Sequence, residues 1–126
     1  MKRVAVFGAS GGIGAALVQI LAAREDIAEI HAGSRKGPVP EGPKIRPFRF
    51  DAADESTIAP IAAPLDMAWI ATGILTRADG TGPEKSLRQL DSAGLAELYL
   101  ANTIVPALIL KALQPLLPRD RRAAVA

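Results

Sequence analysis

The chain alternates short, continuous apolar runs with longer segments whose apolar residues recur every three or four positions. A continuous apolar run favours a strand that is buried on both faces, and the longer spacing favours an amphipathic helix. Strands are therefore predicted over residues 3–7, 27–33, 45–50 and 67–71, with the start of a fifth over 123–126. Helices are predicted over residues 12–24, 55–63 and 92–117, with a helical turn over 86–90.

Strands that alternate with helices indicate an α/β protein with a parallel sheet and right-handed crossovers. We predict one Rossmann-type, doubly wound domain over residues 1–126, with strand order 3-2-1-4-5 and truncated at the fifth strand. Pro47 cannot donate a hydrogen bond to a neighbouring strand, so the third strand is predicted at a sheet edge. Asp54 is the predicted N-cap of the second helix, and Pro106 predicts an irregularity in the long helix.

A glycine-rich run lies between the first predicted strand and the first predicted helix. Glycine lets the backbone turn sharply and lets a pyrophosphate approach, and the helix directs its free N–H groups and positive dipole end at that anion. Strand, glycine-rich loop and helix in this order are the context that a dinucleotide-binding loop requires. The alternative is a glycine-rich turn that binds nothing. The predicted cofactor-binding residues of this loop are Gly8, Ser10, Gly11, Gly12, Ile13 and Gly14.

The segment after the second predicted strand bears on the choice of cofactor. A loop that binds NAD usually carries Asp or Glu here, which bonds to the ribose 2′-hydroxyl, and that acid is missing. The residues present are Ser34, Arg35 and Lys36. A guanidinium pairs with a 2′-phosphate through two hydrogen bonds, and a hydroxyl and an ammonium add to this. These residues predict NADP over NAD, the alternative being that Arg35 and Lys36 are solvated loop cations.

Further candidates follow the third and fourth strands or lie in the long helix. Asp51 either accepts a hydrogen bond from an adenine amino group or caps a loop. Thr72 and Gly73 follow the fourth strand, where a glycine lets the backbone pass close to a cofactor, although an ordinary turn glycine fits the position too. Asn102 is a poor helix former inside a predicted helix, so it is expected to hold a water or a backbone carbonyl unless it is simply exposed. The only histidine, His31, is predicted to be structural.

Composition and charge narrow the classes of partner. A formal net charge of +2 and 4% aromatic residues give no indication of nucleic-acid binding, and Trp69 and Tyr99 are interpreted as packing residues. The chain has no cysteine, which excludes disulfides and zinc–thiolate sites and is compatible with a reducing cytoplasm, the predicted location. No run of about eighteen apolar residues is present, so no membrane span is expected. No metal site is predicted.

Together these residues resemble the N-terminal half of the short-chain dehydrogenase/reductase family. The spacing Gly-x-x-x-Gly-Ile-Gly over residues 8–14 is similar to the glycine motif of the family. Asp51 sits like its adenine-contacting Asp, and Asn102 sits like the Asn of its catalytic tetrad. Within the family, residues 71–75 and 86–90 most resemble the C-factor-like members of the classical branch.

The resemblance implies hydride transfer between a nicotinamide and a small-molecule carbonyl or alcohol substrate, with NADP(H) as the cofactor. It implies that Asn102 is a catalytic residue, which supports a proton-relay water. The chain departs from the family in carrying Phe7 before the first glycine and Ala71 where an Asn is usual, and it contains no Tyr-x-x-x-Lys, the family's acid–base pair. The chain alone is therefore expected to be close to inactive. The alternative is a non-enzymatic NAD(P)-binding regulatory module or a truncated pseudoenzyme.

The resemblance also implies that the helix over residues 92–117 packs against a partner subunit in a homo-oligomer. No nucleic-acid or membrane partner is expected. The apolar residues predicted to mediate the subunit contact are Leu95, Leu98, Ile109, Leu110 and Leu113.

Overall fold

The sheet is parallel throughout, and its topology is the predicted one. A computed structural model describes residues 1–58, 61 and 64–126. The strands are β1 Lys2–Phe7, β2 Ile27–Ser34, β3 Ile45–Arg49, β4 Met67–Ile70 and β5 Ala124–Val125. They follow the order β3-β2-β1-β4-β5, and each neighbouring pair is parallel. The predicted α/β sheet is therefore confirmed, and β1 and β4, where the strand order reverses, lie side by side.

The third strand lies at an edge of this sheet, as Pro47 predicts. Pro47 is opposite Ala32 of β2, and within the described part of the chain β3 has no strand on its other side. Because proline lacks an N–H group, an edge strand accommodates it with the least loss of hydrogen bonding.

The described residues form three α-helices and three short 3₁₀ turns. The α-helices are α1 Gly12–Ala22, α2 Ser92–Tyr99 and α3 Val105–Leu113, and the 3₁₀ turns are Glu55–Thr57, Leu87–Gln89 and Gln114–Leu116. Of the helix predicted over residues 55–63, the described residues form the turn Glu55–Thr57, while residues 59, 60, 62 and 63 lie outside the described residues. Asp54 caps this turn as predicted, because its carboxylate accepts a hydrogen bond from the Ser56 N–H at 3.0 Å.

The long helix predicted over residues 92–117 is interrupted by a wide turn. A π-helical turn over Leu100–Ile104 joins α2 to α3, directly before Pro106 in the first turn of α3. A proline inside a helix lacks the N–H group and collides with the carbonyl four residues earlier, here that of Asn102, and the wider turn relieves both problems. The irregularity predicted from Pro106 is therefore confirmed, and it places Asn102 inside the wide turn.

Two apolar clusters, one on each face of the sheet, form the core. Val6 of β1 packs with Val18 of α1 on one face. The neighbouring Phe7 points to the opposite face, where it packs with Ile109 and Leu113 of α3. Successive residues of a strand face opposite sides, which explains how one short strand supplies both clusters. All five side chains are completely buried.

Burial corrects the association surface predicted for the long helix. Ile109 and Leu113 are 0% exposed because they face the sheet, so the prediction that they mediate subunit contact is wrong. Leu95 and Leu110 are 50% and 49% exposed, and they remain candidates. Tyr99 is 61% exposed, so its interpretation as a packing residue is also wrong.

The helical stretch Ser92–Leu116, of 25 residues, is long and apolar enough to cross a membrane by length and composition alone. It contains no uninterrupted run of about eighteen apolar residues, because Glu97 and Lys111 interrupt the apolar residues. The core helix of a globular protein passes the same test. The absence of a membrane span therefore stays a prediction.

A charged cluster surrounds Glu29 of β2. The Glu29 carboxylate lies 2.8 Å from Nε2 of His31, 3.3 Å from Nε of Arg3 and 3.9 Å from Nε of Arg46. Burial lowers the pKa of His31 below its usual value of 6.5, and the Glu29 carboxylate opposes part of this shift. The imidazole is therefore neutral near pH 7, and its buried position in the sheet fits the structural role predicted for it.

We expect the free energy of unfolding to fall as the pH decreases through the range in which His31 of the unfolded chain takes up a proton. Because the pKa of His31 in the folded chain lies below 6.5, the unfolded state binds more protons in this range. The stabilisation is complete above this range and is lost as the pH falls through it. Urea unfolding at about pH 7.5 and about pH 5.5 measures the change. His31→Gln should flatten this dependence, and an equal slope in both proteins would contradict the prediction.

Candidate cofactor-binding site

The glycine loop, residues 8–14, connects β1 to α1 at the carboxyl edge of the sheet. The Gly8 N–H donates to the carbonyl of Gly33, near the end of β2, at 2.9 Å. The Ala71 N–H, directly after β4, donates to the carbonyl of Phe7 at 2.9 Å. The loop is therefore fixed where the ends of β1, β2 and β4 meet, which is the position at which open α/β sheets bind their ligands.

Two positions of the glycine loop leave no room for a side chain. Gly8 has a φ of +83°, and a Cβ there would overlap the carbonyl of Ala71. A Cβ on Gly14 would overlap the carbonyl of Gly8, so the loop packs directly on the first turn of α1. The N-cap residue Gly11 has no capping side chain, and the first turn of α1 has no acidic residue. No side chain of this turn therefore competes with an anion for the free N–H groups.

A cleft of about 210 Å³, the main cleft below, opens beside the glycine loop. It brings together predicted cofactor-binding residues from three loops that are distant in sequence, those after β1, β2 and β4. These residues are Gly8, Ser10, Gly11, Arg35, Lys36, Thr72 and Gly73. The wall is completed by residues not predicted from the sequence, namely Gly37, Phe50, Ala71, Ile74, Ala101 and Val105.

The remaining glycine-loop residues do not line the main cleft. Gly12 begins α1, and Gly14 is buried beneath the loop. Ile13 is 76% exposed and lines a neighbouring apolar groove together with Trp69. Trp69 also packs against the α1 side of the core, which confirms its predicted packing role.

Positive charge lines the main cleft. Arg35 and Lys36 are exposed at its wall. Within residues 1–58, 61 and 64–126, neither side chain forms a hydrogen bond or an ion pair, and no acidic side chain lines this cleft. Two cations without a partner beside a cleft favour an anionic ligand.

Thr72 places a buried, unsatisfied hydroxyl at the same wall. Its Oγ1 is inaccessible to solvent and has no hydrogen-bond partner among the described residues. A buried polar group without a partner costs about 1–3 kcal/mol. The glycine loop, the two cations and this hydroxyl together fit an extended anionic ligand such as a dinucleotide.

Ser34 is turned away from the main cleft. Its side chain is 2% exposed, its hydroxyl donates to the carbonyl of Gly37 at 2.8 Å, and it accepts from Nη1 of Arg49 at 2.7 Å. The hydroxyl is therefore bonded within the protein. The predicted contact of this segment with a 2′-phosphate depends on Arg35 and Lys36.

A second cleft of about 440 Å³ adjoins the main cleft and shares Arg35 and Lys36 with it. Asp51 lines the second cleft, and its Oδ1 accepts a hydrogen bond from the Ala53 N–H at 2.9 Å. Asp51 is thus a loop cap, one of the two roles predicted for it. Its contact with an adenine amino group stays a prediction.

Asn102 fixes the loop that follows β4. Its Oδ1 accepts from the Ile74 N–H and its Nδ2 donates to the Ile74 carbonyl, both at 2.8 Å. Asn102 therefore holds a backbone carbonyl, as one expectation had it, and it is also exposed, as the alternative had it. A Cβ on Gly73 would lie 2.9 Å from Oδ1, so glycine at this position allows the close approach. The support of a proton-relay water by Asn102 stays a prediction.

Sequence reasoning missed the residues that anchor the rest of this loop. Nε of Arg77 donates to Glu97 at 3.3 Å, and Nη1 of Arg77 donates to Asp91 at 3.1 Å. The Ala78 N–H donates to the other Glu97 oxygen at 2.6 Å. Glu97 of α2 and its N-cap Asp91 thereby hold one wall of the second cleft in place. No spacing marks these residues in the sequence, since the contacts join positions 14 to 20 residues apart.

Comparison with known proteins finds similarity in fold and none in sequence: no family model and no curated protein matches the chain. A short-chain dehydrogenase family protein from Francisella tularensis gives a TM-score of 0.76 at 18% identity, covering 99% of this chain and 49% of that one. NADPH-bound carbonyl reductase from chicken fatty liver gives a TM-score of 0.71 at 24% identity, and the match covers 92% of this chain and 48% of that one. A mutant uronate dehydrogenase from Agrobacterium tumefaciens, complexed with NAD, gives a TM-score of 0.61 at 22% identity, and the match covers 89% of this chain and 36% of that one.

The chain spans about half the length of the first two of these structures. The matching part includes the parallel sheet and nearly all of the present chain. The chain therefore has the fold of the N-terminal half of a short-chain dehydrogenase/reductase.

Proposed function

We propose that the chain binds NADP(H) as the cofactor-binding half of a short-chain oxidoreductase. The observation that carries the proposal is the meeting of the glycine loop with Arg35, Lys36 and the Thr72 hydroxyl at one cleft. The loop and the start of α1 suit a pyrophosphate, and the two cations suit a 2′-phosphate. The similar structures include one with NADPH and one with NAD, which supports a nicotinamide cofactor. The choice of NADP rests on Arg35 and Lys36 alone.

A bound nicotinamide dinucleotide supplies hydride-transfer chemistry toward a small-molecule carbonyl or alcohol. In the proposal, the glycine loop binds the diphosphate, Asp51 binds the adenine, and Thr72 and Gly73 border the reacting end. Asn102 acts as a positioning residue, since it fixes the backbone of Ile74 beside them. The 126 residues contain no Tyr-x-x-x-Lys. These residues therefore lack the acid–base pair of that motif, and general acid–base catalysis contributes roughly 10²–10⁴-fold in rate.

The same observation favours a second candidate, a non-enzymatic NAD(P)-binding regulatory module. Both candidates require cofactor binding, and only the oxidoreductase requires hydride transfer. NADPH oxidation by the purified chain is measured with a panel of aldehydes and ketones. Turnover above the buffer rate supports the oxidoreductase, whereas binding without turnover is the result expected both of a binding module and of a cofactor-binding half that lacks Tyr-x-x-x-Lys.

Calorimetric titration of the 126-residue chain with NADPH and with NADH tests the cofactor proposal. We expect NADPH to bind with a dissociation constant on the order of micromolar and about tenfold more tightly than NADH. The reason is that a charge-assisted contact with the 2′-phosphate contributes about 1–3 kcal/mol. Binding of neither dinucleotide would contradict the proposal. Equal affinities would leave cofactor binding in place and overturn the choice of NADP.

We also propose that copies of the chain associate through the exposed side of α2 and α3. Leu95, Tyr99 and Leu110 support this proposal, because each exposes about half of its side chain or more. Leu98 is half-buried. Contiguous exposed apolar side chains are typical of protein–protein contacts.

A further inference from the structure

Arg49, at the end of the edge strand β3, bonds to both ends of the loop that carries Arg35 and Lys36. We call the stretch from Ser34 to Gly37 the Arg35 loop. Nη1 of Arg49 donates to the Ser34 hydroxyl at 2.7 Å and to the Gly37 carbonyl at 2.8 Å. The Ser34 hydroxyl in turn donates to the same Gly37 carbonyl at 2.8 Å. These three hydrogen bonds close the Arg35 loop into a ring.

The ring also packs against the glycine loop. Ser34 is 2% exposed, which buries the first end of the loop. A Cβ on Gly37 would lie 2.7 Å from Cβ of Ser10, so the second end packs against the glycine loop. Arg35 and Lys36 lie between these two anchors and line both the main cleft and the second cleft. The ring therefore holds the backbone on both sides of these two residues.

We infer that Arg49 is a positioning residue that sets the selectivity for a 2′-phosphate by holding the Arg35 loop in shape. The inference rests on the proposed function. Arg49 lines neither the main cleft nor the second cleft, so it acts through the loop and not on the ligand. A charged donor makes stronger hydrogen bonds than a neutral one. A loop that is ordered before binding spares the ligand the cost of ordering it.

The affinities of Arg49→Met for NADPH and NADH test the inference. Methionine keeps an unbranched side chain and removes the donors. We expect the ratio of NADPH affinity to NADH affinity to fall about tenfold, with the NADH affinity itself changing less than about twofold. If Arg49→Met does not fold, as judged by circular dichroism, Arg49→Lys takes its place. A lysine keeps the charge and loses the fork geometry, and a fall of about threefold in the ratio is expected.

Arg46→Met is the matched control, because it removes the same charge from the same strand. The Arg46 guanidinium bonds to the carbonyl of Pro43 at 2.8 Å and not to the Arg35 loop. We expect this variant to keep the parent ratio. An unchanged ratio in Arg49→Met, or an equal fall in Arg46→Met, would overturn the positioning role.

A double substitution separates positioning from direct contact with the phosphate. In an Arg35→Ser background, Arg49→Met should cause little further change in the affinity ratio, because the residue that it positions is gone. Fully additive losses would mean that Arg49 itself binds the phosphate, and would overturn the inference. If the parent chain binds neither dinucleotide, the proposed function fails, which is seen before any substitution is made. If the parent binds both and Arg49→Met keeps its ratio, only the inference about Arg49 fails.

Discussion

Replacing Gly8 with alanine is expected to lower the free energy of unfolding by about 2–5 kcal/mol. Two costs add at this position. Its φ of +83° costs a residue with a side chain about 1–2 kcal/mol. The new Cβ would also overlap the carbonyl of Ala71, and forcing extra atoms into a packed region costs about 1–3 kcal/mol. The overlapping atom belongs to the backbone directly after β4, so no side-chain rotation relieves it.

Gly12→Ala is the matched control for stability, since it adds the same methyl group to the same loop. A Cβ on Gly12 meets nothing within 4 Å, and Gly12 is already the first residue of α1. We expect its free energy of unfolding to lie within about 0.5 kcal/mol of the parent, or slightly above it. Urea unfolding followed by circular dichroism measures both variants. Equal effects at Gly8 and Gly12 would show that the contact between the glycine loop and Ala71 does not limit stability.

The strands were predictable because local chemistry alone decides them. Each predicted strand agrees with the structure to within one residue at either end. β1 and β4 are continuous apolar runs, which favour strands that are buried on both faces. The burial holds for residues 4–7 of β1, whereas in β4 only Ala68 is buried and the other three residues are partly exposed. Pro47 predicted an edge strand from its missing N–H group, and the glycine loop followed from its place between a strand and a helix. None of these steps needed a contact between distant parts of the chain.

The burial of individual helix residues and the partners of the site residues depend on contacts between distant parts of the chain, which no local pattern indicates. α3 is apolar on several sides, so the sequence does not distinguish Ile109, which faces the sheet, from Leu110, which is half exposed. Ser34 lies in the segment predicted to contact a phosphate, yet its hydroxyl accepts a hydrogen bond from Arg49, which lies 15 residues later in the chain. The sequence predicts a water or a backbone carbonyl as the partner of Asn102, but the identity of that partner, Ile74, is set by a contact across 28 residues.

Arg35→Asp is expected to invert the cofactor preference. The new carboxylate repels a 2′-phosphate, and it suits the ribose 2′-hydroxyl in the way that an acid does at the end of the second strand of NAD-binding sheets. Arg35 has no partner among the described residues, so its removal leaves no group of the protein unpaired there. We expect the NADPH affinity to fall about a hundredfold, equivalent to about 2.7 kcal/mol, and the NADH affinity to stay within a few-fold or rise. Calorimetric titration with both dinucleotides measures the change.

Arg122→Asp makes the same change of charge away from the glycine loop. Arg122 lies near Met1 and Lys2, at the amino end of β1. Salt screens exposed charges beyond about 10 Å at 0.1 M ionic strength, so we expect this control to leave both affinities within about twofold of the parent. If Arg35→Asp leaves the NADPH affinity unchanged, Arg35 does not bind the phosphate and is a solvated loop cation. If both affinities fall equally, the substitution has damaged the site as a whole. A selective loss of NADPH binding alone assigns the 2′-phosphate to Arg35, because only that phosphate distinguishes the two ligands.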